Sequence, residues 1–471
     1  MNANAIKQKI AASVSLWAQQ RIPMGTSNPY LEGMFAPVGK ESTLTSLAVS
    51  GSIPPELNGM LVRNGPDPIQ VTNPATYHWF VGDGMVHGLR LEDGKALWYR
   101  NRHVGADKAQ KLLGRPLLPG IRNGIVDVVN TNIIRHGNRL WALVEAGASP
   151  IELDAELNSI RHGLFDHDKP APFTAHPHLD PASGNLHAIS YDALNRNQVF
   201  YQVIDKDCRL AHMAPIKVKQ GPMMHDCAIT ARHVILLDLP ITFSISSVFK
   251  GATLPYAWNP EHPARIGILP HFGQQRDIRW LEVDPCFVFH TGNAREQANG
   301  DILMDVVVHK RMFDKSIQGP EAQQITLERW TLPAQGSRVK REVISERRQE
   351  FPRFDVRLTG RDYRYLYTVG ADPDAPTSPQ PLLRHDVVTG NSQLHHYGEG
   401  RVTGEVVFVP RKPTGDETDG WLLSFVYNLL DDTSELVILN ADDLGGSPQA
   451  VIHLPVRVPM GFHCNWVPAL G

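Results

Sequence analysis

Along most of the chain, apolar and polar residues alternate over short runs, and Gly, Pro, Asn and Asp cut the runs apart. The stretch MVHGLRLEDGKALWYRN (85–101) predicts a β-hairpin with Asp93-Gly94 at its tip. TNIIRHGNRLWALVEAG (131–147) repeats the design around Gly137-Asn138. HLDPASGNLHAISYD (178–192), ILMDVVVHK (302–310), REVISERRQEFPRFDVR (341–357) and GWLLSFVYN (420–428) carry it to the C-terminus. Long helical periodicity is scarce. The expected class is all-β.

An antiparallel chain of 471 residues must dispose of its sheet edges, and blades repeated around a central channel do so. A β-propeller is therefore expected, although no WD or kelch repeat marks one. Gly and Pro are spread along the chain rather than gathered in a linker, which predicts one propeller domain over 28–471. Residues 1–27 are expected to form a helical arm, because MNANAIKQKIAASVSLWAQQR is too short and polar to span a membrane. Two connections, KLLGRPLLPGI (111–121) and FSISSVFKGATLPYAWNP (243–260), are unusually apolar. They read either as a cap of loops and short helices over one face, or as a patch that dips into a membrane surface.

Composition narrows the function classes. A formal net charge of −3, with no Lys/Arg-rich block, argues against a nucleic-acid partner. Cys208, Cys227, Cys286 and Cys464 form no C-x-x-C pair, which argues against structural zinc and suits a reducing, cytoplasmic location, peripheral to a membrane if the apolar loops dock. No obligate protein partner is implied. The chain lacks H-E-x-x-H, G-x-S-x-G and a P-loop; GDGMVHG (82–88) lacks dinucleotide-binding spacing and reads as tight-turn glycines. His178–Asp180 has the H-x-D form of a facial iron triad, but PASG follows it, so a turn with a surface Asp is the better reading.

What remains is a set of histidines, each after a short apolar or small-residue segment and before a turn: His176 in FTAHPHLDP, His225 in PMMHDCAIT, His290 in CFVFHTGNA and His463 in PMGFHCNWV. Their separations form no local metal motif, and a lone histidine near an apolar strand is usually a packing residue. Inner strands of distant propeller blades converge on one axis, however, so wide spacing is compatible with a shared site. Spacing alone does not select these four.

From NPYLEGMFAPV (28–38) to MGFHCNWVP (460–468), the chain resembles the carotenoid cleavage oxygenase family, which includes lignostilbene-type dioxygenases. LNGMLVRNGPDP, YHWFVGDGMVHGLRL, ALVEAG, TAHPHLDPASGNLHAISYD, MMHDCAIT, FHTGNA, EFPRFD and GEVVFVPR follow in the family's order. The resemblance implies a seven-bladed propeller with one Fe(II) on its axis, held by His176, His225, His290 and His463. It places supporting carboxylates at Glu145, Glu350 and Glu405, and Thr131 beside the open iron position. A ligating histidine needs such a partner to fix its tautomer and orientation.

The implied reaction splits an alkene C=C bond with O₂ into two carbonyl products, and the alkene supplies the electrons. Stilbenoid-cleaving members carry a lysine directly before the first supporting glutamate; this chain has Val144 there. The ALVEAG form is similar to the bacterial carotenoid-cleaving branch, so an apolar polyene, a carotenoid or apocarotenoid, is the expected substrate. A stilbenoid or phenylpropanoid alkene is the alternative within this chemistry. Outside it stand a non-catalytic propeller scaffold and a 2-oxoglutarate oxygenase built on His178 and Asp180.

Overall fold

The computed structural model describes residues 13–469 apart from 15, 125–126, 194, 315–323, 372–377 and 379. Seven antiparallel sheets carry the chain around a closed circuit. Five are built from consecutive segments, and each begins with a short first strand: Asn132–His136, His178–Leu179, Cys227–Ile229, Thr291–Glu296 and Gln349–Arg353. The first strands His178–Leu179, Cys227–Ile229, Thr291–Glu296 and Gln349–Arg353 pack in succession, and Asn132–His136 packs on Gly59–Pro66, so they form the wall of the axis.

The other two blades join the ends of the chain. The last strand, Cys464–Pro468, pairs with Gly59–Pro66, with Val62 opposite Asn465. Ala48–Gly51 pairs with Ala450–Leu454 in the neighbouring blade. The ring is therefore closed by two strand pairings rather than by a disulfide; all four cysteines are free and buried.

The predicted hairpins form where the pattern placed them. Gly84–Glu92 pairs with Lys95–His103, and Asp93 and Gly94 at the tip adopt φ of 48° and 72°. Each central strand turns apolar residues to both faces, because neighbouring blades cover both sides. Gly420–Asn428 is accordingly buried at every position. Large buried side chains such as Trp141, Trp330 and Trp421 fill the spaces between blades.

Short elements gather over one end of the axis. They include 3₁₀ turns at Pro29–Leu31, Gly33–Phe35 and Trp79–Val81, and a helix at Ile245–Phe249 within the hairpin Ile241–Phe243/Tyr256–Trp258. Half of the connection 243–260 is thus regular structure. In the arm, residues 16–19 are helical and Ala18 is buried; residues 1–12 and 15 lie outside the described residues.

Candidate active site

Each of the four singled-out histidines sits just before an axial strand. His290 and His463 directly precede Thr291–Glu296 and Cys464–Pro468; His225 and His176 stand one residue further from Cys227–Ile229 and His178–Leu179. Blades that start far apart in sequence therefore deliver their first side chains to one point. Ring centroids lie 4.5 Å apart for His176–His225 and His176–His463, 4.8 Å for His290–His463 and 5.2 Å for His225–His290. One nitrogen from each ring falls within 4.8 Å of the other three.

Three carboxylates orient three of these rings. Glu145 accepts from His225 Nδ1 at 2.8 Å and from the Tyr191 hydroxyl at 2.8 Å. Glu350 accepts from His290 Nδ1 at 2.6 Å, from His309 Nε2 at 2.7 Å and from the Phe351 amide at 2.6 Å. Glu405 accepts from His463 Nδ1 at 3.0 Å and from the Cys464 amide. Burial alone would raise all three carboxyl pKa values, but the facing imidazoles, with Arg353 foremost at Glu405, outweigh it and hold each one below its ordinary value. An ionised carboxylate only accepts, so each Nδ1 carries the proton and each Nε2 presents a lone pair.

Those lone pairs create the site's chemistry. His225 Nε2 and His290 Nε2 are 3.4 Å apart, and with both Nδ1 atoms protonated they would face each other lone pair to lone pair. A shared positive charge removes that repulsion. Burial pushes the His290 imidazole down, yet Glu350, Asp226 and Glu405 pull harder and its pKa is raised. His176 has no carboxylate; burial and the three neighbouring histidines push its pKa well down, and its buried Nε2 has no hydrogen-bond partner. Four convergent imidazole nitrogens backed by three anions fit a divalent transition metal such as Fe(II).

A cavity of about 490 Å³ opens on His225, His290 and His463. Trp79, Phe80, Val144, Phe289, Phe351 and Phe462 dominate its wall, and Thr131 lines it too. It extends to Val248 and Leu254 in the 243–260 hairpin, whereas no residue of 111–121 lines it. Phe351 holds φ at 56°, a left-handed conformation costly for a bulky residue. That turn aims its amide at Glu350 and stacks its ring on His290, with centroids 5.4 Å apart.

The profile of the retinal pigment epithelial membrane protein family matches residues 35–468. The chain belongs to the carotenoid cleavage oxygenase family. The Mycobacterium tuberculosis protein named carotenoid cleavage oxygenase is 39% identical over 493 residues, which span 94% of this chain and 98% of that protein. Among solved structures, Pseudomonas brassicacearum lignostilbene dioxygenase superposes with a TM-score of 0.83 at 28% identity, covering 95% of this chain and 100% of its own. Cobalt-substituted Synechocystis ACO superposes with a TM-score of 0.80 at 27% identity, covering 91% and 96%. This carotenoid cleavage oxygenase family member is thus an oxygenase that cleaves alkene bonds, which removes the scaffold reading.

The two side chains of the H-x-D pair turn to different partners. His178 Nε2 is 2.7 Å from Asp226, and Asp180 accepts from the Ala182 amide and the Ser183 hydroxyl in its own turn. Sequence reasoning overlooked Tyr191, His309 and Phe351. Phe351 had a signal, since it directly follows Glu350 in EFP. Tyr191 and His309 lie at strand ends and look like any other strand residue.

Proposed function

We propose that this oxygenase holds one Fe(II) through His176, His225, His290 and His463 and splits a C=C bond of a carotenoid or apocarotenoid. Both atoms of O₂ enter the products, so one C=C and one O₂ become two C=O groups without an external reductant. The observation that carries this reading is four convergent imidazoles, three of which, His225, His290 and His463, line a mostly apolar cavity.

Bound iron would supply the open coordination positions at which O₂ is activated beside the alkene. The chain's own residues do the rest. Glu145, Glu350 and Glu405 keep the Nδ1 protons in place, so that the Nε2 lone pairs stay directed inward. Phe289, Phe351 and Phe462 exclude water from the reacting bond and give a polyene flat apolar surfaces to lie on. Val144 is buried in the wall beside Glu145, where a cation would be needed to grip a phenolic hydroxyl.

The structural likeness to a lignostilbene dioxygenase keeps a stilbenoid alkene as the second reading. Mass spectrometry of products from a panel of carotenoids, apocarotenoids and hydroxystilbenes decides between them. Polyene-derived aldehydes are expected; cleavage of hydroxystilbenes alone would reverse the ranking.

An apolar substrate has to arrive from lipid or detergent. Among the described residues no helix is long and apolar enough to cross a membrane. Ile245 and Phe249 are, however, 53% and 60% exposed on the helix whose Val248 lines the cavity. The arm packs Ala18 and Ile22 against Gly251 and leaves Leu16, Trp17 and Met24 exposed. We infer that this face rests on a membrane surface through apolar burial.

A further inference from the structure

Asp226 follows His225 directly, yet it touches no ligand imidazole of the proposed iron site. It is 4% exposed, and its two oxygens meet donors from three different strands. Oδ1 lies 2.7 Å from His178 Nε2 and accepts from the Cys227 amide at 2.7 Å. Oδ2 accepts from the Thr291 amide at 2.8 Å. Thr291 Oγ1 lies 2.9 Å from both Asp226 Oδ2 and the Cys227 carbonyl, and donates to one of them.

The positions of these donors matter. His178 is two residues after His176, Cys227 two after His225, and Thr291 one after His290. One carboxylate therefore ties together the segments that carry three of the four histidines, two through backbone amides and the third through the His178 ring. We propose that Asp226 is a positioning residue that fixes the spacing of His176, His225 and His290 before metal binds. The three glutamates work differently, because each holds a ring by its Nδ1 proton. Asp226 holds the chain beneath the rings.

The rival reading is a second metal site, since His178, Asp226 and Cys227 offer ligand atoms within 4.8 Å of one another. The hydrogen bonds speak against it. His178 Nε2 and both Asp226 oxygens are already engaged with each other and with amide and hydroxyl groups, so a metal there would break contacts on all three strands.

The inference rests on the four-histidine reading, and the test separates the two. Co(II) serves as the probe, read by its visible absorption and by competition with a chelator, on wild type, D226N, T291V and H225A. The carboxamide that D226N introduces would turn its own NH₂ toward donors on whichever side it points, so this variant should misplace the strands. Its Co(II) affinity is expected to fall roughly 10–100-fold, with a changed visible band pattern. T291V keeps the Thr291 amide and removes only the hydroxyl; it should fold and show a smaller loss, of a few-fold, with a shift in the same bands. H225A should bind no Co(II). D226N and T291V that match wild type in affinity and spectrum would overturn the proposal, as would variants with a lower Tm of the metal-free protein but an unaltered Co(II) spectrum. Where D226N does not fold, T291V alone decides by the same criteria. A wild type that takes up no Co(II) would instead overturn the four-histidine site, and this proposal with it.

Discussion

Two buried histidine–carboxylate clusters stand in the same blade and do opposite things. Around His262, Nε2 is 2.7 Å from Asp238, Nδ1 is 2.8 Å from the Gln220 side chain, and Arg265 donates to the remaining Asp238 oxygen at 2.8 Å. Both ring nitrogens there have a protein partner, and the carboxylate has its cation. Around His225, Nδ1 is engaged by Glu145, whereas Nε2 faces another imidazole nitrogen. Three carboxylates converge on the axis, and Arg353, the guanidinium beside them, is 3.7 Å from Glu405. A buried group left with uncommitted lone pairs and surplus negative charge is expensive unless something positive completes it. The first cluster is completed by the protein alone; the second calls for a ligand.

The strongest way to break this contrast is to remove one histidine from each. His225→Ala should abolish metal binding and alkene cleavage while leaving the blades folded, since strand pairing closes the ring without the axis. His262→Ala should leave about one metal per chain and full activity, but strand the buried Asp238 oxygen that faces the ring and cost about 2 kcal/mol of stability. Metal analysis and thermal unfolding read both. Iron-replete, active His225→Ala protein would end the metal assignment, and metal loss in His262→Ala would erase the distinction between the clusters.

Weaker effects come from the carboxylates. Glu145→Gln, Glu350→Gln and Glu405→Gln should each lower metal affinity or activity roughly 10–100-fold, and the Ala variants more, because an amide oxygen still accepts from Nδ1. Glu350 accepts three hydrogen bonds and should be the most sensitive of them. Three Gln variants indistinguishable from wild type would reduce these residues to structural charges.

The two clusters also show what the sequence makes legible. Alternation and turn residues predict hairpins such as 85–101 and the all-β class, because strand period and positive-φ tips are local properties. The blade count and the histidine cluster are not local. His176 and His463 are brought together only because the last strand returns to pair with Gly59–Pro66, and no spacing rule anticipates that. Family resemblance picked these four from 21 histidines; nothing in the residues themselves separates His225 from His262. Asp226 was visible beside His225, but the position it holds depends on a contact with Thr291, 65 positions on. The apolar character of 111–121 and 243–260 was equally plain. Only the fold shows that the second segment alone lines the cavity.

Substrate choice can be sharpened at one wall position. Val144→Lys should raise cleavage of 4-hydroxystilbenes and lower that of polyenes, because a buried ammonium is costly without a phenolic partner. The comparison is of kcat/KM on the two substrate classes in the same preparation. A wild type that cleaves resveratrol-like compounds well and ignores every polyene would transfer the assignment to stilbenoids.

The smallest effect concerns delivery, and it contrasts the two apolar segments. Leu117 is 50% exposed and Phe249 60% exposed, yet only the Phe249 helix contributes to the cavity wall. If both touch lipid, Phe249→Asp and Leu117→Asp should each weaken binding to liposomes, with about 1.5 kcal/mol or roughly tenfold for the larger ring. If the face around Phe249 is where substrate enters, that variant alone should slow cleavage of carotenoid embedded in vesicles. Both variants should match wild type on detergent-solubilised carotenoid, because neither residue touches the histidines. Low net charge adds a further expectation: neutral and anionic vesicles should bind about equally well, since apolar burial rather than charge makes the contact. Unchanged liposome binding by both variants would leave the two segments as a cap over the propeller and nothing more.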